Sequence, residues 1–512
     1  MTTQASEPVG RLTHEPILET LERKPWRTGV APQLIALFLW AVFFDQLPRK
    51  TLLIGGLLPS VLGALAGGLS AYLLLYYPPA MRGFRTRKSF AEVATSAFGM
   101  KGSKYFAAIL LGLGQVVWIA VAAFVAVDFH VRGLVACGLL KSDRLKPWLW
   151  QGVSIQHPVF LAIALTWCLA MVLAARYFMR WIAALLQVYP IIPALILFGV
   201  TIWAFKGLGD FHPLAFDPKS GDRIVEGGAN AFLTMMEWVL GFFAVAGLLS
   251  TDWGAVCETE SDARIGGLVG VGFGAPIVAT LALLAVAGAM GRSHVFDREI
   301  DAQRKLELIR TMRPDGPLVA REAETLRKIG DERFTFSTVL ESAIGRRTGA
   351  ACLILLGLMA LGPGVFSAYA LGRRLHSSLP FLSRTQWHLF GAFAAMPLIA
   401  FGWANRLETI FSIMGAIFAP IAGVLAADSL RSRRRPLQPR LGWSPAGLMA
   451  WLAGFGTGML PFFGRSFRLG PWTQLVRPST FFAFLAAFLA FMCLALLRLE
   501  SKPTETDVEA NA

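Results

Sequence analysis

A carboxylate, an amide, a proline and two cations stand together at Asp45, Gln46, Pro48, Arg49 and Lys50. They occupy the stretch FFDQLPRK, between the apolar runs QLIALFLWAV and TLLIGGLLPSVLGALAGGLSAYLLLYY. Two chemistries fit them. If the first apolar span ends at Pro48, the group is a solvated outer turn and Asp45 is an ordinary surface acid, the reading that hydropathy alone favours. If the span continues, Asp45 lies at bilayer depth, where an ionisable side chain costs at least about 2.5 kcal/mol even on the lenient insertion scale and is functional by default. Desolvation favours the protonated form of a carboxyl, so Asp45 at that depth could take up and release a proton. Pro48 would keep the segment from resuming a regular helix. Arg49, four residues on, and Lys50 could pair with Asp45 or attract an anionic solute.

The elements that must position these residues are membrane spans. Of the 512 residues, 55% are hydrophobic and 16% charged, and the mean hydropathy is +0.55. That is more apolar surface than one or two globular cores bury. Runs of about 20 apolar residues, the length that crosses the hydrocarbon layer, recur at 31–55, 56–77, 104–128, 156–175, 181–205, 229–250, 265–290, 348–371, 386–404, 408–427, 442–463 and 476–498. The reading is an all-α polytopic membrane protein with twelve transmembrane helices.

Residues 1–30 carry Pro, Arg, Lys and Glu without an apolar core and small-residue cleavage site, so no signal peptide is read. The loops RGFRTRKS, GRRLHSSLPFLSR and RSRRRPLQPR fall on one side and outweigh the opposite short loops in Lys and Arg, which places both termini, the tails 1–30 and 499–512, in the cytoplasm. The polar segment 291–347 is too long for an ordinary connection and is expected to form an outer cap, with TVLESAIG as a short amphipathic helix. The five cysteines are scattered singly without CxxC spacing, so neither a disulfide framework nor a metal site is read. The formal charge of +15 fits cationic loops against anionic lipid rather than nucleic acid. No Walker A, HExxH or GxSxG sequence is present, which argues against an ATP-driven pump or a membrane hydrolase.

Three stretches, in order, resemble the nucleobase:cation symporter-1 family of cytosine, purine, allantoin and hydantoin permeases. AFGMKGSKYFAAILLGLGQVVWIAV is similar to the family's FGxxGS followed by a Gln-x-x-Trp in the third helix. AVAGLLSTDWGAV resembles the end of its sixth helix, and GAIFAPIAGVLAADSLRSRRRP its tenth helix and the basic run that follows. The resemblance covers roughly residues 25–500, apart from the long outer segment. It implies a LeuT-like 5+5 inverted repeat plus two helices: 31–205 as the first repeat, 229–427 as the second with the insertion 291–347, and 442–498 as the two additional helices. It also implies a planar heterocycle bound between broken first and sixth helices and the faces of the third and eighth.

Carried over residue by residue, the resemblance makes Trp118 the third-helix stacking surface, Phe243 its sixth-helix partner, and Gln115 a hydrogen-bonding group one turn before Trp118. Stacking a flat ring between two aromatic faces gives about 0.5–1.5 kcal/mol beyond area burial. It sets Asp45 and Gln46 beside the substrate, at the unwound middle of the first helix. The serines and asparagines with which the family holds nucleobases are replaced here by Phe242, Ala244 and Val245 and by Gly362, Pro363 and Gly364, while Ser367 and Tyr369 remain nearby. Sodium-coupled relatives bind the ion between first-helix carbonyls, here near Ala41 and Phe44, and eighth-helix hydroxyls, which map to Ala360 and Leu361. Those two side chains offer no oxygen, so the expected coupling cation is H+ rather than Na+, with Asp45 as its carrier. Asp252 is read as a capping or gating residue, Gly247 and Pro363 as structural or gating positions, Asp428 as a partner of the following arginines, and Glu237 as a further coupling candidate.

The functional expectation is a non-enzymatic secondary transporter of a bacterial inner membrane. It would carry a small heterocyclic solute such as a nucleobase-like compound by cation symport and alternating access, with no cofactor. The alternatives are a carrier of another solute class, such as a small organic anion, and a non-transporting sensor or partner subunit.

Overall fold

The computed structural model describes residues 25–27, 30–41, 46–141, 147–150, 153–178, 191–213, 227–293, 336–432 and 437–501, together with the single residues 305 and 321. The sequence readings at Phe44 and Asp45, and most of the expected outer cap, lie outside these residues, as do the side chains of Ala41 and Gln46.

Apolar runs this long must satisfy their backbone polar groups internally, and in lipid the helix is how one segment does so. Among the described residues, ten helices are long and apolar enough to cross a membrane. In chain order, the helices are α1 (Val30–Ala41), α2 (Leu57–Thr86), α3 (Thr95–Ala136), α4 (Pro158–Tyr177), α5 (Ile191–Asp210), α6 (Gly227–Ala255), α7 (Glu260–Arg292), α8 (Arg346–Ser378), α9 (Arg384–Ala400), α10 (Leu407–Arg431), α11 (Pro445–Phe467) and α12 (Ser479–Leu496). Two fall outside the ten. The expected first span is divided: α1 ends at Ala41 after 12 residues, and helix resumes as the short turns Gln46–Lys50 and Leu52–Gly55. The helix α9 is continuous but only 17 residues long. Gly56, at φ 86°, makes the reversal into α2, a conformation glycine adopts without a Cβ penalty. A hairpin of β1 (Trp148–Trp150) and β2 (Val153–Ile155) links α3 to α4, and the short helix Phe336–Ile344 precedes α8.

The packing separates two groups. The helices α1, α2, α6 and α7 pack on one another, as do α3, α4, α8 and α9, while α10 lies between α6 and the α11–α12 pair. Burial follows the same plan: 76%, 83% and 78% of the apolar windows of α3, α6 and α10 are buried, against 33% of those of α4, α5 and α11, so the former are the centre and the latter face outward. Small residues let α2 and α6 approach closely, as expected where no hydrophobic force draws helices together. A Cβ on Gly83 would strike the Thr251 carbonyl, and one on Gly254 the carbonyl of Ala80. Both α2 and α7 contain a π-helical turn, Ala71–Tyr76 and Leu268–Gly274, and these turns pack together.

The FGMKGS stretch is structural. Gly99 turns the chain at φ 76° inside α3, and the backbone around it holds the segment before α11: Lys101 N donates to Gly442 O at 2.8 Å and Ser444 N to Phe98 O at 2.9 Å. The Ser103 hydroxyl donates to the Ala91 carbonyl.

The resemblance leads one to expect a broken sixth helix, and the structure corrects this: α6 is one continuous helix of 29 residues. It holds no proline, and its internal glycines serve close contact instead of unwinding. A Cβ on Gly241 would meet the Phe411 carbonyl, and one on Gly247 would sit 2.7 Å from the carbonyl oxygen of Leu75. The interruption falls in α8 instead, at Ala360, where Pro363 occupies the first turn of the second half, a position that tolerates its missing N–H.

Candidate functional site

Helix periodicity brings the candidate residues together. On α3, Gln115 and Trp118 are three apart and share a face; on α6, Phe242, Val245, Ala246 and Leu249 repeat at three- and four-residue steps. These two faces, Leu37 of α1, and Pro363, Phe366 and Ser367 of α8 line one cavity with about 430 Å³ of empty space, its mouth included. It lies on the seam between the two helix groups. The sequence residues Gln115, Trp118, Ser367 and Pro363 therefore meet in space, although 252 positions separate the first from the last of them.

The walls are mostly apolar. Gln115 is 1% exposed, and its Nε2 donates to the Leu111 carbonyl at 3.3 Å, the one hydrogen bond its amide makes among the described residues. The Ser367 hydroxyl has none among them, so these two residues are the polar resources of the cavity.

Phe243 is placed elsewhere. It is 1% exposed, stacks on Phe38 at 5.6 Å and 14°, and does not line the cavity. Adjacent residues on a helix point about 100° apart, so Phe242 takes the cavity side. Its ring meets Trp118 edge-on at 5.2 Å, Phe38 at 5.0 Å and Phe411 at 5.9 Å. Trp238 adds a further edge contact to Phe411 at 5.2 Å. This aromatic cluster bounds the cavity toward the start of α10. The sequence signal for it was the four-residue step from Trp238 to Phe242, which shares the face of Val245 and Leu249; Phe411 carried no signal of its own.

On the other side, one turn beyond Leu249, Trp253 stacks on Phe366 at 6.4 Å. Next to it Asp252 accepts from Arg374 NH2 at 2.6 Å and from Phe90 N at 2.8 Å, while Arg374 NH1 donates to the Ala107 carbonyl at 3.1 Å. One ion pair thus joins α6, α8, the α2–α3 connection and α3. At the opposite end Lys50 pairs with Glu408 at 3.3 Å, joining the short turn after α1 to α10.

The remaining acids divide. Asp428 is buried and accepts from Ser96 Oγ at 2.7 Å; of the arginines that follow it, the described Arg431 and Arg440 pair with Glu500 instead, at 2.5 Å and 2.9 Å. Glu237 is buried against the start of α12, away from the cavity. No group of three or more metal-ligating side chains occurs among the described residues, and the five cysteines are unpaired.

No protein-family model matches the chain, and no curated protein matches it. Solved structures do. Mhp1, a nucleobase-cation-symport-1 family transporter in a closed conformation with bromovinylhydantoin bound, superposes with a TM-score of 0.58 at 15% identity, covering 93% of each chain. The chain has a LeuT-like fold. The inward-facing conformation of Mhp1 gives a TM-score of 0.53 at 15% identity, covering 93% of this chain and 92% of that one. A Na+-coupled sialic acid symporter, solved substrate-bound and outward-open, gives 0.54 at 11% identity, covering 96% and 94%. In the LeuT-like frame, α1, α2, α6 and α7 are one packed group and α3, α4, α8 and α9 the other, with the cavity between them.

Proposed function

We propose that the chain is a secondary active transporter that carries a small, flat, weakly polar solute through a membrane with a cation. The observation that carries this reading is the cavity on the seam between the two helix groups, bounded by an aromatic cluster on one side and by the Asp252–Arg374 pair on the other. A carrier needs one site reached alternately from two sides, which rocking one group against the other provides. The Asp252–Arg374 pair, which joins the two groups, is suited to serve as a gate on its side, and at the opposite end Lys50–Glu408 holds the turn after α1 to α10.

The solute class follows from the walls. Trp118 and Phe242 favour an unsaturated ring, and Gln115 and Ser367 can satisfy two or three polar atoms on its edge. A nucleobase-like heterocycle with its polar atoms along one edge fits this better than an organic anion, since among the described residues no cationic side chain lines the cavity and the unbroken α6 presents no helix N-terminus to a carboxylate. The coupling cation is proposed to be a proton, with Asp45 as carrier: Ala360 and Leu361 supply no side-chain oxygen for sodium. The basic loops support cytoplasmic termini in a bacterial inner membrane. Uptake into proteoliposomes under an imposed pH or Na+ gradient tests the reading. Concentrative uptake is expected, and equilibration alone under both gradients contradicts it.

A further inference from the structure

A second cavity, with about 680 Å³ of empty space, opens among α6, α10, α11 and the start of α12. It is separated from the first by the aromatic cluster, since Trp238, which lines it, packs edge-on against Phe411. In its wall is Glu237, 6% exposed and ten residues into α6. The partners of this carboxylate are all neutral: Ser479 Oγ at 2.8 Å, Thr480 Oγ1 at 2.8 Å and Thr480 N at 3.3 Å. Among the described residues no cation partners this carboxylate, and a charge buried without an opposite one calls for a positive partner. In the same wall Trp238 is 3% exposed, and its indole N–H has no partner among the described residues.

The other charged groups facing this cavity are accounted for. Glu408 of α10 pairs with Lys50. Arg477, in the stretch before α12, donates to Asn230 Oδ1 at 2.9 Å and Thr234 Oγ1 at 2.8 Å, one turn before Glu237. The described residues of α11 and α12 that line the cavity carry no charge.

We infer that Glu237, with Ser479 and Thr480, forms a site for a small monovalent cation, Na+ or H+, outside the solute cavity. A hard cation takes oxygen ligands, and a carboxylate with two hydroxyls supplies them; a proton needs only the carboxylate. The inference rests on the cation-symport reading and adds a cation site apart from Asp45 and from the apolar α8. Loading the site neutralises the carboxylate beside Trp238, whose ring touches Phe411 and through it Phe242 and Trp118, so occupancy reaches the wall of the solute cavity through packed rings.

The test is cation-dependent thermal stability of the purified full chain, which needs no solute. Melting is followed at fixed ionic strength with NaCl replacing choline chloride, and separately from pH 8.5 down to 6, in the wild type, Glu237→Gln and, at an exposed acid remote from the cavity, Glu260→Gln. A Na+-specific rise in Tm identifies sodium, and a rise on acidification alone identifies the proton. In either arm the rise is expected to vanish in Glu237→Gln and persist in Glu260→Gln. Should Glu237→Gln fail to fold, Thr480→Ala keeps the question open to an answer: the Na+ midpoint is expected to weaken about tenfold, or the pH midpoint to move upward, on loss of one oxygen donor. A wild type that answers to neither cation overturns the inference, as does an unchanged response in Glu237→Gln or an unmoved midpoint in Thr480→Ala. A cation response that survives Glu237→Gln would leave the symporter reading standing and remove only this site.

Discussion

Asp252 of α6 and Arg374 of α8 meet at 2.6 Å, a contact that ties the two helix groups together beside the cavity lined by Gln115 and Trp118. Both are partly shielded, at 30% and 14% side-chain exposure, and each holds a backbone partner as well, Phe90 N and the Ala107 carbonyl. A charge-assisted bond of this kind contributes about 1.5–3 kcal/mol net.

Breaking it should open that side. Asp252→Asn is expected to shift the gate equilibrium about tenfold toward the open form, 1.4 kcal/mol being a factor of ten. The readout is the rate at which a water-soluble maleimide modifies Ser367→Cys from the side of Arg374. A rate unchanged by Asp252→Asn would show that the pair does not gate.

The aromatic assignments separate by consequence. Trp118→Ala and Phe242→Ala remove buried cavity walls, so each should lower Tm and also abolish solute stabilisation. Phe243→Ala removes a fully buried ring stacked on Phe38 and should cost about 3–5 kcal/mol of stability while solute still raises the Tm. Melting curves with and without solute distinguish the two effects; lost solute binding at unchanged stability in Phe243→Ala would reverse the assignment.

Thiol labelling reports both orientation and burial. Cys137, just past α3, is exposed, whereas Cys257, between α6 and α7, is buried. Burial, with Asp262 nearby, pushes the Cys257 thiol up to about 12 against the pull of Arg87. A membrane-impermeant maleimide at pH 7.5 should therefore label Cys137 from outside intact cells and leave Cys257 unmodified from either side. Above the ordinary thiol value of 9.0 the unfolded chain releases a proton that the folded chain keeps until about 12, so this group lowers stability as pH rises through that window.

The close approach of α2 and α6 sets a further expectation. Gly83→Val and Gly254→Val each force a side chain into a backbone carbonyl. Overpacking of this kind costs about 1–3 kcal/mol or more. Each variant should lower Tm, and unchanged melting would contradict the packing.

Much of this was legible in the sequence. Hydropathy shows the long helices because lipid admits few alternatives, and the triplet of stretches around Gln115–Trp118, Asp252 and Asp428 pointed to the fold that the superpositions show. What stayed hidden depends on rotation and partner choice. Nothing local tells Phe242 from Phe243, because the difference is which face of α6 meets α3. The continuity of α6 was obscured because the resemblance implies a broken sixth helix, whereas Gly241 and Gly247 make close contact with α10 and α2. Arg374 was invisible as the partner of Asp252, and Ser479 and Thr480 as those of Glu237, since each lies more than a hundred residues away.

The most direct test of the solute cavity is the melting temperature of the purified wild type and Trp118→Ala against a panel of nucleobases, hydantoins, vitamins and small organic acids, because a ligand stabilises the state that binds it. A flat heterocycle should raise the Tm of the wild type and leave that of Trp118→Ala unmoved. Stabilisation equal in both proteins, or by an organic acid alone, would contradict the cavity as the place where the solute binds.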